Sequence, residues 1–170
     1  AGFEVWDRDI VQEIARVSGG DERILSSLDE HHRRAIDDAV RGFLKSVDHT
    51  NVQYFRALVR VVRTIAEHGS AVVVGRGANY IVPVTRALRV RLTAPEAWRI
   101  DQIVSRTDMT VREATARVRQ WDRERTDFVQ HHFRRHIEDA SAYDLVMNAA
   151  AFDLNAMADL VLGAYAARFS

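Results

Sequence analysis

Apolar residues along this chain fall into two rhythms. Four short stretches, FEVW (3–6), AVVVG (71–75), LRVRL (88–92) and YDLVMN (143–148), read as strands. AVVVG is continuously apolar, as a strand covered on both faces should be, whereas LRVRL alternates and suggests an edge or half-exposed strand. Between them the period lengthens. DRDIVQEIARV (7–17) places Ile10, Ile14 and Val17 at helical spacing behind Asp7, a residue suited to capping. A helical region spans 30–68, and its clearest part, VQYFRALVRVVRTIAEHG (52–69), stops at Gly69. PEAWRIDQIVSR (95–106) opens on a proline, TVREATARVRQWDRERTDFVQHHFRRHIED (110–139) is long and highly charged, and DLNAMADLVLGAYAARF (153–169) has Asp153 as candidate cap.

Strands alternating with helices predict a parallel α/β sheet, in which ligands sit at the carboxyl ends of the strands. The 170 residues suit a single domain with a sizeable core, with no internal repeat and, at two prolines and eight glycines, no linker-rich segment. There are no cysteines, which removes disulfides, thiolate catalysis and Cys-based zinc sites. No apolar run reaches the roughly 18–20 residues of a membrane span and no signal-peptide pattern opens the sequence, so a cytoplasmic protein without membrane partners is expected. Formal net charge is +0, which argues against unspecific nucleic-acid binding. Lys45 is the only lysine, so an anion bound here meets planar, bidentate guanidinium groups. A high-GC genome would produce the same bias.

Candidate chemistry is concentrated in two places. In AVVVGRGANYI, Gly75 and Gly77 allow a sharp turn after the strand, and Arg76 and Asn79 follow as donors for an anion or nucleotide. A plain strand-to-helix turn with a surface arginine accounts for the same motif equally well. In RQWDRER (119–125), Arg119, Asp122, Arg123 and Arg125 crowd one part of a helix, with Asp122 and Arg125 on one face. Such a group can clamp phosphates while the carboxylate orients an arginine or a sugar hydroxyl. Read alone, it is also an ordinary solvated helix face. Arg56, Arg60 and Arg63 form a stripe that lines a channel or faces solvent. His132 and His136 have metal-pair spacing, but no HEXXH glutamate accompanies them and neighbouring arginines repel a cation.

The order of these pieces resembles the cytidylate kinase-like family of P-loop nucleoside monophosphate kinases. EVWDRDIVQEIA looks like that family's second strand and following helix. HGSAVVVGRGANYIV looks like its third strand and GRD-type turn, and ALRVRLTAPEAWRIDQI like its fourth strand and proline-opened helix. RQWDRER resembles the lid, and YDLVMNAAAFDLNAMADLV the last strand and helix. The resemblance implies a three-layer P-loop NTPase-like parallel sheet flanked by helices within one domain over 1–170, with a helical insert at about 20–68 and a lid at about 107–140. It also implies transfer of the ATP γ-phosphoryl to a nucleoside monophosphate, with Mg²⁺ accompanying ATP. Arg76, with Asn79 beside it, would contact the acceptor. Asp122 and Arg125 would match the lid positions that engage nucleotide sugar and phosphates, with Arg119 and Arg123 as neighbours, and Arg119, Arg123 and Arg125 would close over the transferring group. Arg60 or Arg56 would match a phosphate-binding arginine. Homodimerisation is left open.

Three departures stand out. Gly77 occupies the position of the family's aspartate, and the family's serine and tyrosine near the second strand have no counterpart around Asp7, which opens the question of the acceptor base. The G-x-x-x-x-G-K-[ST] loop is absent from these residues: Gly19-Gly20 is followed by DER. The strand that precedes this loop is central in the family's sheet, so the natural protein is expected to supply it from an upstream segment. The alternatives are a degenerate relative that binds nucleotides or partners without turnover, and an arginine-rich helical protein that binds nucleic acid.

Overall fold

The computed structural model describes residues 2–7 and 52–169. The helix expected over 7–17, beyond Asp7, and the region 20–51 lie outside the described residues. The chain divides into two compact units, residues 1–87 and 88–170. The described residues hold small parallel sheets flanked by helices, a mixed α/β architecture with no closed barrel among them.

In the first unit, strand β1 (Glu4–Trp6) pairs in parallel with β2 (Ala71–Val73), Glu4 opposite Ala71 and Trp6 opposite Val73. Helix α1 (Val52–His68) precedes β2 and carries most of the buried apolar residues described in this unit. Tyr54, Ala57, Leu58, Val61, Val62 and Ile65 are all buried, at the i, i+3, i+4 spacing that puts them on one stripe. Burying each of the larger side chains contributes about 1.5–3 kcal/mol. Arg56, Arg60 and Arg63 lie on the exposed part of the same helix. Gly69 ends it with φ 75°, the left-handed conformation that glycine adopts without a Cβ clash. Although AVVVG is apolar throughout, Val72 and Val74 are exposed, so this strand is not covered on both faces by the described residues.

The second unit repeats the arrangement. Strand β3 (Val90–Thr93) pairs in parallel with β4 (Leu145–Asn148), Val90 opposite Leu145 and Thr93 opposite Asn148. The alternation in LRVRL does not sort polar from buried residues as a half-exposed strand would. Leu92 is exposed, while the Arg91 side chain is part-buried because it finds partners: Arg91 Nη1 donates to the Ile137 carbonyl and, at 3.2 Å, to the Tyr143 hydroxyl. The crossover between these strands holds helices α3 (Glu96–Val104) and α4 (Val111–Phe133), and α5 (Leu154–Phe169) follows β4.

Local chemistry fixes the helix ends. Thr110 and Glu113 form a reciprocal capping box at the start of α4. Asp153 accepts from the Ala156 amide at 2.8 Å, as a capping residue before α5 does. The charged stretch does not stay helical to residue 139: Arg134 turns left-handed at φ 54° and closes α4. Asp139 then caps a 3₁₀ turn over Ala140–Ala142. His132 and His136 therefore share no helical face, and their metal-pair spacing loses its geometric meaning.

A carboxylate ties this unit together. Asp144 Oδ2 accepts from the Arg89 amide at 2.8 Å and from Arg89 Nε at 3.1 Å. Its Oδ1 accepts from Arg89 Nη2 and Arg168 Nη1, each at 2.8 Å. The entrances to β3 and β4 and the end of α5 thus meet on one side chain that is 13% exposed. The Arg89 hydrogen bond is the main reason its carboxyl is held well below the usual carboxylate range.

Candidate functional site

The first unit carries the turn after β2. Gly75, Arg76 and Gly77 are successive left-handed residues, at φ 80°, 50° and 67°. The glycines adopt this freely. For arginine it is uncommon, and such backbone is held in place only when its surroundings demand it. The Ala78 amide donates to the Gly75 carbonyl at 3.1 Å and the Tyr80 amide to Gly77 at 2.8 Å, which starts the short helix α2 (Ala78–Ile81). The run AVVVGRGANYI thus ends in the strand-to-helix turn that is one of its two readings, but with its arginine half-buried and not at the surface.

Arg76 is half-buried, and its Nε is enclosed. Asn79 is half-buried on α2, and its Nδ2 is enclosed without a hydrogen-bond partner among the described residues. A buried donor in that state costs about 1–3 kcal/mol, and a ligand acceptor would remove the cost. Tyr54, from the buried stripe of α1, reaches the same neighbourhood. Burial pushes its phenol up, and the Arg76 charge opposes that shift. Tyr54 was not legible as a site residue, since in the sequence it is one more apolar position of an amphipathic helix. Arg60 is exposed on α1 and Asp7 is exposed after β1.

The second unit carries the lid-like arginines, on α3 and α4. Asp122 Oδ1 accepts from Arg125 Nη2 at 2.6 Å, one helical turn on, and from Arg99 Nη1 of α3 at 2.7 Å. The Arg99 bond is the largest cause lowering the Asp122 carboxyl, so the group is ionised at neutral pH. Arg119 Nε and Nη2 both donate to Glu96 Oε1, at 3.1 and 2.9 Å. This pair is 59% and 42% exposed, and solvent leaves such a contact worth little. Arg123 is exposed.

Of the four residues picked out in RQWDRER, the structure joins Asp122 with Arg125, directs Arg119 to Glu96 and leaves Arg123 outside this network. Arg99 is the residue that sequence reading missed. A signal existed: Glu96 with Arg119 and Arg99 with Asp122 are charge-reversed pairs, both separated by 23 residues. Chemically, the cluster offers guanidinium donors whose orientation is fixed by a carboxylate, a setting for phosphate oxygens rather than for cations. Among the described residues no group of three or more His, Asp or Glu is placed to hold a metal ion. No described helix is long and apolar enough to cross a membrane.

No curated protein matches the sequence. Among solved structures, the chain is similar to the crystal structure of an uncharacterized protein from Eubacterium ventriosum ATCC 27560. The TM-score is 0.66 at 15% identity, over 94% of this chain and 81% of that one, a likeness of fold. The cytidylate kinase-like family profile matches residues 1–151, which include the turn at Arg76, both charge pairs of α3 and α4, and strand β4. With most of its length matched, the chain belongs to the cytidylate kinase-like family.

Proposed function

We propose that the protein transfers the terminal phosphoryl of ATP to a nucleoside monophosphate, and that these residues supply the acceptor and lid parts of the machinery on a three-layer P-loop-type sheet. The observation that carries the reading is the Asp122 carboxylate, on the family's lid segment, holding Arg125 of the same helix and Arg99 of α3 together. Phosphoryl transfer demands little covalent chemistry of a protein. It needs in-line positioning and neutralisation of charge spreading over the transferring oxygens. Arg125, with Arg123 beside it, would meet that charge. Asp122 would keep Arg125 in place, and Arg119 would stand at the edge of the cluster. Arg76 and Asn79 would hold the acceptor monophosphate, with Arg60 as a further phosphate contact.

Mg²⁺ would arrive with the ATP phosphates, as the described residues include no carboxylate cluster to hold it. The phosphate-cradling G-x-x-x-x-G-K-[ST] loop is not among residues 1–170. A second reading on the same fold is a nucleotide-binding or interaction module without turnover. Coupled ADP release by the natural full-length protein, offered CMP, UMP, dCMP and AMP, separates the two. Turnover with one of them supports the kinase, and no turnover with any sinks it. Arg76→Ala should raise the acceptor KM by about tenfold or more with the ATP KM little changed, as loss of one charge-assisted phosphate contact predicts. Equal loss of both would count against its assignment to the acceptor.

A further inference from the structure

The two charge-reversed pairs between α3 and α4 are built differently. Glu96 and Arg119 are exposed, and both arginine nitrogens reach one oxygen. Arg99 and Asp122 are less exposed, at 30% and 39%, and Arg99 Nε is enclosed without a hydrogen-bond partner among the described residues.

A contact that served only to hold α3 against α4 would gain most from a two-pronged bond, Arg99 Nε and a terminal nitrogen on the two oxygens of Asp122. It would then leave no buried donor unsatisfied. Instead Asp122 Oδ1 takes one bond from Arg99, at 2.7 Å, and one from Arg125, at 2.6 Å. The geometry gives up part of the α3–α4 link and spends the oxygen on Arg125. From this we infer that Arg99 is a positioning residue: acting through Asp122, it fixes the Arg125 guanidinium on α4 to receive a phosphoryl group of the nucleotide.

This inference rests on the phosphotransfer reading and adds a residue to it. Arg99 itself touches no ligand. Its effect is on Arg125, which is 54% exposed and on α4 alone would sample many rotamers. Bonded to a carboxylate that α3 also holds, Arg125 loses that freedom before the ligand arrives, and most of its donors remain available. A charge fixed in advance stabilises a developing anion more than one that must be ordered during the reaction.

Arg99→Met, Arg99→Lys, Arg125→Met and the double variant Arg99→Met/Arg125→Met of the full-length protein test this. Arg99→Met should lower kcat about 10- to 100-fold, the scale expected of a misplaced group, with the acceptor KM within about threefold. Arg99→Lys, which keeps a donor for Asp122, should recover part of the loss. The double variant should be no slower than Arg125→Met alone, because both changes disable one unit. An activity-free readout accompanies the kinetics: the NMR order parameter of the Arg125 Nε–H should fall in Arg99→Met and recover in Arg99→Lys. An unchanged kcat, rate losses that multiply in the double variant, or an Arg125 signal indifferent to Arg99 overturns the inference while leaving the phosphotransfer reading intact. If the unsubstituted protein turns over no acceptor, that reading falls and the catalytic role of Arg99 falls with it, whatever the NMR signal shows.

Discussion

Asp144→Ala should be among the most destabilising single changes in the second unit. The substitution removes four hydrogen bonds at 2.8–3.1 Å, three from Arg89 and one from Arg168. Hydrogen bonds to charged groups contribute about 1.5–3 kcal/mol each, so simple addition gives about 6–12 kcal/mol. That sum is too large, because three of the bonds share one arginine and the freed guanidinium groups recover water. Their side chains are already 17% and 31% exposed, so neither becomes a sealed, uncompensated charge. The result sits near the lower end of the range for breaking a buried pair, about 3–4 kcal/mol. For a chain of this size that lowers Tm by about 6–16 °C.

Calorimetry at neutral pH measures this, and a second scan at pH 3 tests the electrostatic part. The carboxyl is depressed in the folded state, so its contribution is complete above the ordinary Asp value of 3.8 and declines as pH falls toward the folded value. Between pH 6 and pH 3 the gap between native protein and Asp144→Ala should narrow by about 1 kcal/mol. A loss below about 1 kcal/mol at neutral pH, the range of solvent-exposed ion pairs, would refute the view that this carboxylate holds β3, β4 and α5 together. A gap constant with pH would refute its charge as the cause.

Two further outcomes follow from local geometry. Arg76→Gly relieves a left-handed arginine, so its melting temperature should stay level or rise by the equivalent of about 1 kcal/mol while nucleoside monophosphate affinity drops at least about tenfold. Parallel thermal melts and calorimetric titrations would show this, and a clear loss of stability would contradict it. Thr110→Ala opens the capping box of α4 and should cost about 1 kcal/mol in chemical denaturation. An unchanged midpoint would mean that the start of α4 frays in the native protein.

Strand positions were legible because each is a short apolar run bounded by polar or glycine-rich sequence: three of the four lie inside the stretches that pattern marks, and β3 runs one residue past its stretch, to Thr93. Their exposure was not legible. Arg91 is sheltered and Leu92 exposed because Tyr143 and the Ile137 carbonyl, about 50 residues on, offer partners that no local pattern reveals. The end of α4 escaped because Arg134 adopts a conformation usually left to glycine or asparagine, so no stop signal marks it. In the candidate site, clustering on one helix exposed the Asp122 and Arg125 pairing, while Arg99 and Tyr54 belong to other elements and became relevant only through tertiary contact.

The parallel pairing also has a consequence in time. Glu4 pairs with Ala71 and Val90 with Leu145, separations of 67 and 55 residues, and neither pair can be replaced by a local hairpin. At synthesis rates of about 5–20 residues per second, β3 emerges roughly 3–11 s before β4 exists to pair with it. During that interval its exposed Leu92 and unpaired backbone groups are open to other chains. Helix α1, in contrast, is complete within its own 17 residues and can form while its neighbours are still being made. The nascent protein therefore depends on its helices to carry it through a wait that its sheets impose.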